Sequence, residues 1–196
     1  MAIGLSVKFD FGGADTAPGT SVDVDSYGPP CLVFKNADNA TIDTNNKMKV
    51  PAAGAGPYYS YWKHIYLYCD DPDGYTISNL RLYSDGASGY GTGVDLYVGL
   101  QFPTKNSGSD AGYEVASGSA TTGDELVANH GGITTSASLF TYTVASPLTV
   151  SVSEAGNVID LAAETSNYFL LQMKILNTAS AGTLSNETFY VAYDYA

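Results

Sequence analysis

The chain has 196 residues, 44% of them hydrophobic, so it is long enough to bury a core and is not intrinsically disordered. Its 20 acidic and 8 basic side chains give a net charge of −12, which argues against contact with the phosphates of a nucleic acid. No apolar run approaches the ~18 residues that a membrane-spanning helix needs. We expect one globular domain, residues 1–196, that binds neither nucleic acid nor membrane.

Apolar and polar or small side chains alternate from Ile3 to Phe11. This period of two predicts a β-strand, and the segment lacks the basic start and continuous apolar run of a secretion signal. We therefore expect no signal peptide and synthesis in the cytoplasm. Cys31 and Cys69 are too few for a disulfide framework, and the sequence leaves open whether they are reduced or bridged.

The rest of the chain is a series of short β-like runs separated by turn residues, with no helical periodicity. The segment 12–30, rich in Gly, Asp and Pro, and the polar, Gly-rich segment 103–132 both predict loops. Strands are predicted at 31–35, 58–70, 76–85, 94–102, 138–144, 148–152, 157–161, 166–176 and 187–195. This spacing predicts an all-β fold, an antiparallel β-sandwich that is jelly-roll-like, with an immunoglobulin-like sandwich as the alternative.

Three consecutive strands each place aromatic or polar side chains on the face opposite their apolar residues. If these strands are neighbours in one sheet, their outer faces combine into a single patch. Its members are Trp62, His64, Tyr66, Tyr68, Arg81, Tyr83, Tyr97 and Gln101. Protein interfaces are enriched in Tyr, Trp and Arg, so the patch suggests a protein interface. A sugar-binding platform and cross-strand pairs that only stabilise the sheet remain alternatives.

No arrangement of catalytic residues stands out. His64 and His130 are the only histidines, and neither a His-Glu-x-x-His nor a Gly-x-Ser-x-Gly motif is present. A small glycosidase would need two carboxylates facing one cleft, and the five glutamates show no such pairing within the predicted strands. We therefore expect no enzymatic activity. The glutamates are Glu114, Glu125, Glu154, Glu164 and Glu187.

One acidic segment has two interpretations. Asp70, Asp71 and Asp73 lie within four residues and precede Gly74, so they offer the oxygen ligands that calcium prefers. The same Asp-Pro-Asp-Gly sequence is typical of a tight turn, which is the interpretation we favour. No other cofactor is indicated.

Residues 168–195 resemble the closing hairpin of β-sandwich modules, with Ala179-Ser-Ala-Gly182 as its small-residue turn. The whole chain is similar in style to virion accessory proteins of tailed phages and archaeal viruses, such as capsid decoration, neck and tail modules. The resemblance implies a structural virion protein, most specifically a capsid decoration (cement) protein, that contacts the major capsid protein or other virion proteins. It also implies a homo-oligomer, for which a trimer is the expectation. A carbohydrate-binding module is the alternative function.

Overall fold

The computed structural model describes residues 3–24, 32–100, 105, 110–127, 132–133, 135–152 and 155–196. Ten strands, all paired antiparallel, form two sheets in these residues. They are β1 (Gly4–Ala14), β2 (Ala17–Asp23), β3 (Tyr58–Tyr59), β4 (Lys63–Asp71), β5 (Ile77–Ser84), β6 (Val94–Leu100), β7 (Thr135–Ser138), β8 (Leu148–Thr149), β9 (Phe169–Ile175) and β10 (Phe189–Tyr195).

The larger sheet has the strand order β2-β1-β4-β9-β6-β7, and the short β3 pairs with the far part of β9. The smaller sheet has the order β10-β5-β8. The two sheets pack together, so the predicted all-β sandwich is confirmed. No α-helix lies in the described part of the chain, and none of its helical turns is long and apolar enough to cross a membrane.

The main core lies between the two sheets. Alternation along β4 directs Ile65, Leu67 and Cys69 towards it, and alternation along β5 does the same for Leu80 and Leu82. All five side chains are almost completely removed from water, and a fully buried aliphatic side chain contributes about 1.5–3 kcal/mol. The period-two pattern therefore identifies the core face of each sheet correctly.

The predicted closing hairpin is wrong. The strand β9 lies in the middle of the larger sheet, whereas β10 is an edge strand of the smaller sheet and pairs with β5. The burial pattern explains the difference, because all residues from Phe169 to Met173 are buried, as in a strand covered on both faces. The strand β10 has exposed residues and suits an edge. The segment 179–182 therefore lies in a connection between the two sheets.

Several predicted strand boundaries are also wrong. The long strand 58–70 is split into β3 and β4, and the run 138–144 ends as a 3-10 helix at Leu139–Thr141. Residues 157–161 make only an isolated bridge between Ile77 and Ile159, and 32–35 are not a strand. Position 31 lies outside the described residues.

The segment 12–30 contains a strand that the loop prediction missed. The strand β2 forms a hairpin with β1, with Phe9 opposite Val22 and Phe11 opposite Thr20. The glycines allow a close approach here, since a Cβ atom on Gly13 would lie 2.2 Å from the Ala17 carbonyl oxygen. Glycine and proline in this segment therefore belong to an edge hairpin, where both are tolerated.

Candidate functional site

The predicted aromatic patch is not one surface. The strand β4 lies between β1 and β9, β6 lies between β9 and β7, and β5 belongs to the other sheet. The assumption that three consecutive strands are sheet neighbours is therefore wrong, because the distant β9 inserts between two of them. Arg81 and Tyr83 lie on the smaller sheet. The other described members lie on the larger one, except Trp62, which directly precedes β4. Gln101 lies outside the described residues.

Three members of the patch are core residues. Trp62 and His64 are completely buried, and Tyr66 is nearly so. They lie on the side of the larger sheet that faces away from the main core, within a second cluster that we call the covered aromatic cluster. Tyr68 and Tyr97 are partly buried at its margin. The buried hydrophobic residues of the cluster are Trp62, Tyr66, Tyr113, Ala116, Leu126, Ile133, Tyr168 and Leu170.

The segment 110–127, which the sequence indicated only as polar loop, supplies the cover. The Tyr113 hydroxyl donates a hydrogen bond to the Gly12 carbonyl oxygen at 2.9 Å. The Gln172 side chain donates to the carbonyl oxygens of Ser60 and Asp124, at 2.8 and 2.7 Å, and accepts from the Leu126 amide at 3.1 Å. These bonds hold the segment against the sheet at several points along its length.

A glycine lets the covering segment touch the sheet backbone. A Cβ atom at position 123 would lie 2.3 Å from the Ser60 carbonyl oxygen, so only glycine fits there. The Gly123 amide donates to the Tyr59 carbonyl oxygen at 2.6 Å. The signal that reveals the cover is therefore the combination of Tyr113, Leu126 and close-contact glycines within an otherwise polar stretch.

His64 is held as a neutral ring. Its Nε2 lies 2.9 Å from the Trp62 indole nitrogen and 2.7 Å from the Glu114 carbonyl oxygen. Burial lowers the pKa of His64 to about 3, because the charged imidazolium would lose its hydration. At neutral pH the ring is uncharged and shielded from solvent. It serves as part of the packing between the sheet and its cover.

An ion cluster that the sequence did not predict also holds the covering segment 110–127 against the larger sheet. The Lys105 ammonium lies 3.2 Å from an Asp10 carboxylate oxygen and 2.8 Å from one of Asp110. The Tyr168 hydroxyl donates to Asp10 and lies 3.1 Å from Asp110. Burial, together with these carboxylates, raises the pKa of Tyr168. Since the Asp10 side chain is almost completely buried and already paired, this arrangement is structural rather than a carboxylate pair open to substrate.

The segment proposed for calcium forms a turn. The Asp71 carboxylate accepts a hydrogen bond from the Asp73 amide at 2.8 Å, and the Tyr75 amide donates to the Pro72 carbonyl oxygen at 3.0 Å. Among the residues that the structure describes, neither Asp70, Asp71 and Asp73 nor any other three or more acidic, His or Cys residues come together in a metal-binding arrangement. Cys69 is buried, which raises the pKa of its thiol to about 11, while Cys31, His130 and Glu154 lie outside the described residues.

The outer side of the smaller sheet is open to solvent. The rings of Tyr83 on β5 and Tyr190 on β10 are register partners and stack with centroids 5.3 Å apart and planes 19° from parallel. Tyr190 is 47% exposed. Beside them Arg81 forms an ion pair with Asp194. We call these four residues the open tyrosine face.

The charges on this face are balanced within it. Asp194 accepts hydrogen bonds from Arg81 and from the Asn79 amide group, the latter at 2.7 Å. The bond from Asn79 and the nearby guanidinium hold the pKa of Asp194 below its usual value. At one end of the sheet the exposed rings of Tyr75 and Tyr195 meet edge to face, 5.3 Å apart. The face is thus aromatic, exposed and locally neutral.

The sequence pattern predicted only two of the four residues of the open tyrosine face. Arg81 and Tyr83 were among the predicted residues, but Tyr190 and Asp194 were not. The signal was present, because Tyr190 and Asp194 alternate with the partly buried Phe189, Val191 and Tyr193 along the last strand.

Comparison with family models, curated proteins and solved structures finds no match to this chain. The candidate site therefore rests on geometry and chemistry alone.

Proposed function

We propose that this chain is a structural, protein-binding β-sandwich without enzymatic activity, and specifically a virion accessory protein of the capsid decoration type. The open tyrosine face is the observation that supports this proposal. Its partner in the proposal is the major capsid protein or another virion protein. The virion assignment itself comes from the sequence resemblance, and in the proposal the open tyrosine face is the surface of contact.

The composition of the face is that of an interface. Tyr and Arg are enriched in protein interfaces and acidic residues are depleted, and the stacked Tyr83 and Tyr190 offer rigid rings at low entropic cost. The net charge of the chain is −12, yet Arg81 neutralises Asp194 within the face. A protein partner can therefore approach here without the electrostatic repulsion that the rest of an acidic surface imposes on acidic partners.

A sugar-binding platform is the second candidate, and the exposed tyrosines are the observation in its favour. A sugar ring stacks on an open aromatic face. The rings of Tyr83 and Tyr190 lie nearly parallel at 5.3 Å, so each covers one face of the other. This arrangement suits contact through ring edges and hydroxyl groups better than stacking on a sugar, and the protein-binding function is therefore preferred.

The experiment is a co-sedimentation assay with particles assembled from the major capsid protein of the same genome. We expect the chain to sediment with the particles and the double variant Tyr83→Ser, Tyr190→Ser to lose at least about tenfold in affinity, equivalent to 1.4 kcal/mol. The matched control is Tyr58→Ser, which removes a partly buried tyrosine of the larger sheet. Absence of binding to the particles contradicts the proposal, and so does glycan-array binding that the double variant loses.

A further inference from the structure

Each sheet has two edge strands, β2 and β7 in the larger sheet and β10 and β8 in the smaller one. These four strands differ in how they are protected against pairing with another chain. The strand β2 contains Pro18 and Gly19, β7 has four residues, and β8 has two residues directly after Pro147. Proline and short length are the usual means by which proteins prevent an edge from pairing with another chain. The fourth edge strand, β10, has seven residues with neither proline nor lysine. Its charged residue, Asp194, and its register irregularity lie near one end, so residues 189–192 are the least protected stretch among these four edges.

The chemistry of β10 favours pairing. Residues 189–193 are Phe-Tyr-Val-Ala-Tyr, which carry no charge and, apart from Ala192, have a high preference for β-structure. In the described part of the chain, the backbone of β10 makes its hydrogen bonds towards β5 and none from its other edge. Phe189, Val191 and Tyr193 are only partly buried at the rim of the main core. An added strand would satisfy the free backbone groups and cover these side chains.

We infer that the free edge of β10 pairs with β10 of a second copy of this chain, antiparallel and about a two-fold axis. The two three-stranded sheets then form one continuous six-stranded sheet. This inference deepens the proposed function, on which it rests for its biological meaning, because it names one partner of the structural module. A two-fold pairing gives a dimer rather than the trimer that the resemblance implied.

Charge and register favour a second copy as the occupant. A two-fold axis perpendicular to the sheet keeps outer side chains on the outer side, so the pairing is centred on a residue. With the centre at Val191, Phe189 lies opposite Tyr193 of the second copy, and Tyr190 lies opposite Ala192. The paired segments are then uncharged throughout, and Asp194 lies beyond them in both copies. The register irregularity between Ala192 and Asp194 falls at Tyr193, the last residue of the paired segment.

The sheet itself provides a matched pair of variants. Ala192 on β10 and Thr149 on β8 are the register partners of Arg81 on its two sides. Ala192→Lys therefore adds a positive charge to the β10 edge, whereas Thr149→Lys adds the same charge beside the same arginine at the opposite edge. In the dimer the two added ammonium groups would be diagonal neighbours across the new strand pair, roughly 7–8 Å apart at the backbone.

The experiment is the solution mass of the purified chain by sedimentation velocity over a wide concentration series, without any other protein. We expect a monomer–dimer equilibrium between 20.5 kDa and twice that mass. Ala192→Lys should raise the dissociation constant at least about tenfold, and Thr149→Lys should leave it unchanged. A wild-type chain that stays monomeric throughout overturns the inference, and so does equal dimerisation of the Ala192→Lys variant.

Hydrogen exchange on the wild-type chain provides a test that needs no variant. In the dimer, those β10 amides that point away from β5 should become protected as the concentration rises, while the edge amides of β8 should not. Protection at β8 instead of β10 overturns the inference. Because neither measurement includes capsid particles, a chain that dimerises without binding particles refutes the proposed function and leaves the edge pairing intact. Conversely, a chain that binds the particles but stays monomeric overturns the edge pairing and leaves the proposed function intact.

Discussion

The outer sides of the two sheets look alike in sequence and differ completely in the folded protein. On the larger sheet, Trp62, His64 and Tyr66 are covered by the segment 110–127 and form a second core. On the smaller sheet, Tyr83 and Tyr190 remain in contact with solvent. Alternation along a strand shows which side chains share a face, but it does not show whether another part of the chain covers that face. An aromatic face is a candidate interface only once its cover is known.

Substitutions on the covered side should lower the free energy of unfolding more than substitutions on the open side. We expect Trp62→Ala to lower the free energy of unfolding by about 3–5 kcal/mol, because a fully buried side chain is replaced by a cavity. Urea denaturation checks this value. The control is Tyr83→Ala on the open side, for which we expect about 1 kcal/mol or less. Equal costs at the two positions would contradict the contrast between the two sides.

The pH dependence of the free energy of unfolding provides a second test of whether the covered side is shielded from solvent. Burial lowers the pKa of His64 to about 3 in the folded chain, against an ordinary value of about 6.5 in the unfolded chain. As the pH falls below 6.5, the unfolded chain binds a proton at His64 and the folded chain does not. The free energy of unfolding should therefore fall with pH between about 6.5 and 3, with a slope of at most about 1.4 kcal/mol per pH unit from this group.

The variant His64→Gln isolates this effect, because it keeps a polar side chain and removes the titrating ring. Urea denaturation of both proteins at several pH values gives the difference in their free energies of unfolding. We expect the advantage of the wild type to shrink steadily as the pH falls. A difference that stays constant across the range would show that His64 is accessible to protons in the folded state, and hence that its cover opens readily.

Much of the fold follows from patterns that the sequence displays directly. The alternation in β1, β5 and β6 identifies both the strands and their core faces, and the Asp-Pro-Asp-Gly turn forms as predicted. The strand order cannot be predicted from these local patterns, because it depends on β9, a strand that is distant in the sequence. The strand β9 is buried along almost its whole length, on both faces, as suits a central strand, and it lies in the larger sheet between β4 and β6.

The candidate site could be predicted only in part, for a related reason. A face is buried or exposed according to long-range contacts, and the cover of the larger sheet begins about fifty residues after Trp62. Its polar composition is typical of a surface loop, and the few apolar residues that anchor it, such as Tyr113 and Leu126, are widely spaced. Within the residues that the structure describes, no such segment covers the open side, so Arg81 and Tyr83 lie on the outer face of the smaller sheet and are only partly buried.

The smallest expected effect concerns the stack between Tyr83 and Tyr190. A double-mutant cycle with Tyr83→Ala and Tyr190→Ala should give a coupling free energy of about 0.2–1 kcal/mol, as for other exposed cross-strand pairs. The measurement is urea denaturation of the four proteins at a concentration at which the chain is monomeric. A coupling well above this range would mean that the pair serves stability, in the manner of the covered cluster. A small coupling, joined to a large loss of particle binding in the double variant, would mean that these rings are kept at the surface for contact with a partner.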